Sequence, residues 1–230
     1  MGNVPGGLFR VKICGITTPR DAEVACAAGA DAVGINFFPG SVRYVPPERA
    51  EGIVRAIGGR AVVVGVFVNE PPAAIARICR RLGIGTVQLS GNEPASDADR
   101  VSGCRLKAVR TAGPEGLQPF RGYPCEAFLL DADVPGSFGG TGKRLDWKSL
   151  GDRIRGPRVR FDGEPSDREG RPWILAGGLD PGNVLEAIRL ARPYGVDVAG
   201  GVEDAPGRKD PGKVFRFVEF ARRGLDLAAR

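Results

Sequence analysis

Histidine is absent from all 230 residues. That excludes Ser-His-Asp hydrolysis, Cys-His proteolysis, the HExxH metalloprotease site and two-histidine iron centres together. Any acid or base is therefore Asp, Glu, Cys, Lys or Tyr. Aromatic residues are only 7% and no run reaches five like charges, so the formal net charge of +6 does not read as a nucleic-acid surface. It fits a solvated basic surface or an anionic small substrate. The five cysteines, Cys14, Cys26, Cys79, Cys104 and Cys125, are odd in number and lack C-x-x-C spacing, which indicates neither a disulfide framework nor a zinc site. A reducing cytoplasm is the expected setting. Long apolar runs are missing as well. The longest, Ala61 to Val68, is too short to span a membrane. Met1-Gly2-Asn3-Val4-Pro5-Gly6 has neither a signal-peptide apolar region nor the hydroxyl residue that myristoylation needs at position six. No membrane association is expected.

What remains is a globular composition, 42% hydrophobic and 26% charged, broken by 35 glycines and 19 prolines into many short elements. Continuous apolar runs rich in Val and Ile mark strands buried on both faces, as in a parallel sheet under helices. They fall at Val11–Ile16, Ala32–Phe37, Ala61–Val68, Thr86–Leu89, Leu106–Val109, Ala127–Asp131, Trp173–Ala176 and Val196–Ala199. Between them, helical stripes recur: Ala50, Ile53, Val54 and Ile57; Ile75, Ile78, Cys79 and Leu82; Val184, Ala187, Ile188 and Ala191; Val214, Phe217, Val218 and Ala221. Thr18, Asp180 and Asp210 stand as N-caps before Pro19, Pro181 and Pro211, and Gly29, Gly58, Gly83 and Gly224 stand where helices stop. Eight strand-helix repeats without a linker predict one α/β domain over residues 1–230, a closed (β/α)₈ TIM barrel. An open doubly wound sheet would want a G-x-G-x-x-G turn after its first strand; Cys14-Gly15-Ile16-Thr17-Thr18-Pro19 is not one. The polar, turn-rich segment at about 155–172 reads as an insertion between a helix and a strand, on the barrel face remote from chemistry.

A barrel places function at the C-terminal ends of its strands. Two residues there have acid or base character, Cys14 and Asp131. Position alone leaves Cys14 equally readable as a core thiol. The turns Ala176-Gly177-Gly178-Leu179 and Ala199-Gly200-Gly201-Val202 follow the last two strands, where barrels commonly hold phosphate through backbone N–H groups. A tight turn requiring positive φ is the competing explanation for either glycine pair. Alternation along the first strand is taken to point Lys12 outward.

These residues, with Lys12-Ile13-Cys14-Gly15-Ile16-Thr17, Gly29-Ala30-Asp31-Ala32, Gly65-Val66-Phe67-Val68-Asn69, Gln88-Leu89, Leu130-Asp131, Gly139-Gly140-Thr141-Gly142, Asp146-Trp147, Val196-Asp197-Val198, Gly201-Val202-Glu203 and Pro206-Gly207-Arg208-Lys209-Asp210, resemble phosphoribosylanthranilate isomerases, in order, from about residue 10 to 220. The resemblance implies a (β/α)₈ barrel that performs an Amadori rearrangement of a phosphosugar in tryptophan biosynthesis, without cofactor or metal. It implies Cys14 as general base, Asp131 as general acid, Arg43 on the anthranilate carboxylate, and Gly177, Gly178, Gly200 and Gly201 around the phosphate. Three motifs depart from the family pattern: Ser90 stands for a histidine, Ala199-Gly200 for two serines, and Asn36 for an apolar residue.

The implied chemistry is self-consistent. Ring opening needs a proton on the ring oxygen, and the resulting imine must then lose a proton from the neighbouring carbon. Asp131 is expected to be held protonated by desolvation and substrate anions, and Cys14 to reach the thiolate despite them. Two alternatives stay open: another aldose-ketose phosphosugar isomerase, and a phosphate-binding barrel without turnover. No protein partner is specified by the residues.

Overall fold

The computed structural model describes residues 7–111, 114–132, 146–154, 156–160 and 170–228. Eight parallel strands close into a barrel: β1 (Val11–Ile13), β2 (Ala32–Asn36), β3 (Val62–Phe67), β4 (Thr86–Leu89), β5 (Cys104–Thr111), β6 (Ala127–Ala132), β8 (Arg171–Leu175) and β9 (Gly195–Val198). Their order follows the chain, and the ring is completed by β1 on β9 and β6 on β8. Helices α1 (Pro19–Ala27), α2 (Pro47–Ile57), α3 (Pro72–Leu82), α4 (Ala95–Ala98), α5 (Trp147–Ile154), α6 (Val184–Ala191) and α7 (Pro211–Ala228) are the returning segments. None of them is long and apolar enough to cross a membrane.

The strands read as unbroken apolar runs because each buries two faces. One face joins the helices in a layer that includes Val11, Ile13, Val33, Ile35, Phe128 and Trp173. The other fills the barrel with Phe9, Ala32, Val64, Leu106, Leu129 and Ile174. All four residues of the α6 stripe and all four of the α7 stripe are buried, whereas Val54 in α2 and Ile78 and Cys79 in α3 are half-buried.

The helix signals hold in part. The Thr18 side chain accepts the Asp21 N–H at 3.1 Å, and Asp210 accepts that of Lys213 at 2.8 Å. Gly58 and Gly83 close α2 and α3 in left-handed conformation. Asp180 instead shapes a turn, its carboxylate taking the Gly182 N–H at 2.7 Å, and α6 begins only at Val184. Gly224 does not stop α7. It is buried inside that helix, where a Cβ would stand 3.0 Å from Ile188 and 3.3 Å from Leu185, so its missing side chain lets α6 and α7 approach. After β5 the chain forms a 3₁₀ helix over Pro114–Phe120, whose interior Pro119 has no N–H to give to a regular i→i+4 ladder.

The ends of the 155–172 insertion form a small hairpin. Strand β7 (Arg158–Val159) runs antiparallel to the start of β8, Arg158 pairing with Pro172 and Val159 with Arg171. Residues 155 and 161–169 lie outside the described residues, as do 139–142 of the family-like segment.

Candidate active site

A cavity of about 890 Å³ opens at the C-terminal end of the barrel. It is lined by all seven residues singled out above: Cys14, Arg43, Asp131, Gly177, Gly178, Gly200 and Gly201. They come from the ends of β1, β2, β6, β8 and β9 and the turns that follow, which is why residues up to 187 positions apart share one wall.

Cys14 continues β1 by one residue. Its N–H donates to Val198 O at 2.8 Å, which fixes the sulfur at the mouth of the barrel. Two residues earlier on the same strand, Lys12 is fully buried. The expectation that Lys12 points outward is wrong: side chains two apart share a face, so the parity that brings Cys14 inward brings Lys12 inward too. Its ammonium donates to Gln88 Oε1 at 2.8 Å and lies 3.0 Å from Asp197 Oδ1. Gln88 in turn donates to Ser90 Oγ at 3.0 Å, so the serine at the departing position is buried within this network. Burial pushes the Cys14 thiol above its ordinary range, and Lys12 pulls against that rise. Burial also works against the Lys12 ammonium, but Asp197 and the sulfur overcome it and leave its pKa raised.

Asp131, in register with Arg110 on β5, is half-buried at the end of β6 and lines the cavity. Arg110 also lines it and donates to Asn92 Oδ1 at 3.0 Å. Asn36 turns its side-chain oxygen back on its own loop, accepting the Phe38 N–H at 2.9 Å, which gives this departing residue a local turn role.

Arg43 is not free in solvent. Its Nε and Nη2 grip Glu203 at 2.8 and 2.7 Å in a paired geometry. Lys209 Nζ holds the same carboxylate at 2.8 Å and also reaches Ala199 O at 3.0 Å. Burial pushes Glu203 up, and the two cations outweigh it, leaving the carboxyl below its usual range. Glu203 and Lys209 both lie in the family-like motifs, but nothing in their spacing announces that they orient Arg43.

The glycine turns have conformational reasons of their own. Gly177 and Gly178 adopt φ of 80° and 65°. Gly201 runs so close to the Leu179 carbonyl that a side chain there would displace backbone. Gly200 differs, since a Cβ on it would meet only the Arg43 guanidinium, at 3.3 Å.

Residues 11–220 match the family described as N-(5'-phosphoribosyl)anthranilate (PRA) isomerase. The chain belongs to that family. It is 44% identical over 215 residues to the N-(5'-phosphoribosyl)anthranilate isomerase of Geobacter sulfurreducens, an alignment covering 94% of this chain and 99% of that one. The solved structure of phosphoribosyl anthranilate isomerase from Thermus thermophilus superimposes with a TM-score of 0.78 at 36% identity, over 93% of this chain and 98% of the other. Another, a phosphoribosyl anthranilate isomerase in complex with reduced 1-(o-carboxyphenylamino)-1-deoxyribulose 5-phosphate, matches at TM-score 0.75 and 35% identity, covering 94% and 100% of the two chains. Among the described residues no group of three or more His, Cys, Asp or Glu could hold a metal ion.

Proposed function

We propose that this chain converts N-(5-phosphoribosyl)anthranilate into 1-(2-carboxyphenylamino)-1-deoxyribulose 5-phosphate, the isomerisation step of tryptophan biosynthesis, in the cytoplasm and without cofactor or metal. One observation carries the reading: an acid candidate, a base candidate, a carboxylate-binding arginine and two glycine turns line a single cavity in a member of this family. In this scheme Asp131 protonates the ribose ring oxygen and opens the ring to an imine. The Cys14 thiolate then removes the proton from the adjacent carbon, giving the enolamine that becomes the ketose. Arg43, aimed by Glu203, takes the anthranilate carboxylate. The backbone at Gly177, Gly178, Gly200 and Gly201 receives the phosphate, with negative charge favoured where N–H groups converge.

The test is growth of a tryptophan auxotroph that lacks the isomerase, complemented with this chain, together with fluorescence-detected turnover of phosphoribosylanthranilate by the purified protein. Growth and turnover are expected. Soluble expression without either would replace the reading with an inert phosphate-binding barrel.

A further inference from the structure

The cysteine that the proposed mechanism uses as a base is half-buried, and its desolvation, taken alone, favours the neutral thiol. The residues beneath it supply the missing charge. Lys12 is fully buried and held by two anchors, Gln88 Oε1 at 2.8 Å and Asp197 Oδ1 at 3.0 Å, the latter its direct register partner on β9. The strand next door leaves the space open. A Cβ placed on Gly34 would lie 2.7 Å from Cys14 Sγ and 3.0 Å from Lys12 Cε, so the sulfur and the lysine stem close on one small volume that only glycine leaves empty. The ammonium at the end of that stem favours the charged form of the sulfur, and the sulfur in turn favours the charged ammonium.

We propose that Lys12, anchored by Asp197 and Gln88 inside the barrel, is a positioning residue for Cys14: it is the counter-ion that holds the Cys14 thiolate at the floor of the cavity. This rests on the reading of Cys14 as the base. Lys12 stays protonated throughout, while the sulfur accepts the proton that leaves the substrate carbon. Four charged groups act on the sulfur. Lys12 on its own strand and Lys209 on the short strand Arg208–Lys209 favour the thiolate, Asp197 on β9 opposes it, and Arg43 from the loop after β2 is coupled to it.

The experiment follows the thiol directly, without turnover. Iodoacetamide alkylation of the Cys14 peptide is measured by mass spectrometry as a function of pH in the wild type and in Lys12→Gln, which removes the charge and keeps a polar donor on the same strand position. Below its midpoint the rate rises with the thiolate fraction, and an opposite charge at this range moves a pKa by about 1–3 units. The Lys12→Gln profile is therefore expected to lie about 1–3 pH units higher, with Cys14 at least about tenfold slower near pH 8. The kcat profile should move the same way with KM little changed. Lys12→Gln/Asp197→Asn leaves no unpaired buried charge and serves if the single variant does not fold; its shift should be smaller but of the same sign, since the ammonium's pull on the sulfur exceeds the carboxylate's push. Coincident alkylation profiles in wild type and a folded variant overturn the proposal. A displaced profile in a protein whose Cys14→Ala variant keeps full kcat supports Lys12 as counter-ion and removes Cys14 as base, so the two readings fail separately.

Discussion

Two barrel strands each bury a lysine against a carboxylate, and they do so on opposite sides of the same sheet. On β1, Lys12 points into the barrel toward Asp197, Gln88 and the cavity. On β5, Leu106 and Ala108 face the interior, so Lys107 faces the outer layer. There it donates to Glu93 at 2.6 Å and to Gly91 O at 2.8 Å, beneath the rings of Phe120 and Tyr123. Glu93 is spent on architecture. Its other oxygen accepts the N–H groups of Asn69 and Gly91 at 2.9 and 2.8 Å, tying together the loops that follow β3 and β4. Burial lowers the pKa of Lys107 and Glu93 only partly restores it, whereas at Lys12 the partners prevail and the pKa is raised. Each lysine has a cysteine in electrostatic reach, Cys125 at Lys107 and Cys14 at Lys12, but Lys107 is also opposed by the Arg110 cation, and of the two sulfurs it is Cys14 that lines the cavity. The first arrangement secures loops, and the second lies beneath a cavity-lining thiol.

The sharpest division between the two sides is expected in rate. Cys14→Ala and Asp131→Asn should each lower kcat about 10²- to 10⁴-fold, roughly 3–5 kcal/mol of barrier, with KM and thermal midpoint little changed. A Cys14→Ala enzyme with near wild-type kcat in the fluorescence assay would sink the acid-base scheme. On the other side of the sheet the effect should appear as stability. Lys107→Met strands Glu93 as a buried charge, and urea unfolding should show a loss of about 3–5 kcal/mol. The kcat of the molecules that remain folded should hold to within a few-fold; a collapsed kcat at unchanged stability would erase the distinction.

Arg43→Ala should act mainly on KM, by about 1.5–3 kcal/mol, since a carboxylate is gripped alike in ground and transition states. An unchanged KM would reassign the arginine. Its partner gives a pH signature. Because the folded-state pKa of Glu203 is depressed, its contribution to stability is present above the unfolded carboxylate value of about 4.3 and is lost as pH falls below it. Denaturation midpoints of Glu203→Gln should therefore fall less steeply with acid than those of the wild type, and parallel curves would deny Glu203 that role. Smallest of all, Gly200→Ala meets only a guanidinium and should weaken inorganic phosphate by a few-fold without loss of fold; unaltered phosphate affinity by calorimetry would move the anion away from that turn.

Much of this was written in the chain because it is local. Runs buried on both faces, such as Thr86–Leu89, announce parallel strands, and strand tips such as Cys14 and Asp131 announce a barrel's working end. What escaped depends on neighbours brought from afar. Strand parity alone puts Lys12 beside Cys14, yet a lysine inside a barrel makes physical sense only with Asp197, 185 positions later, facing it. The bond between Arg43 and Glu203 likewise spans 160 positions. Gly224 looked like a helix stop because a glycine's local preference and its use as a packing gap leave the same letter in the sequence.

The seam where β1 meets β9 has a consequence for the order in which the molecule is made. That pairing joins residues nearly the whole chain apart, and long-range contacts carry loop-closure entropy that local ones avoid, so topology of this kind folds slowly. Until the seam closes, Lys12 lacks Asp197 and Arg43 lacks Glu203. A chain trapped early in a refolding experiment would thus lack its finished pocket and carry Cys14 as an open thiol, and the slowing of Cys14 alkylation as burial raises its pKa would mark the closing of the seam.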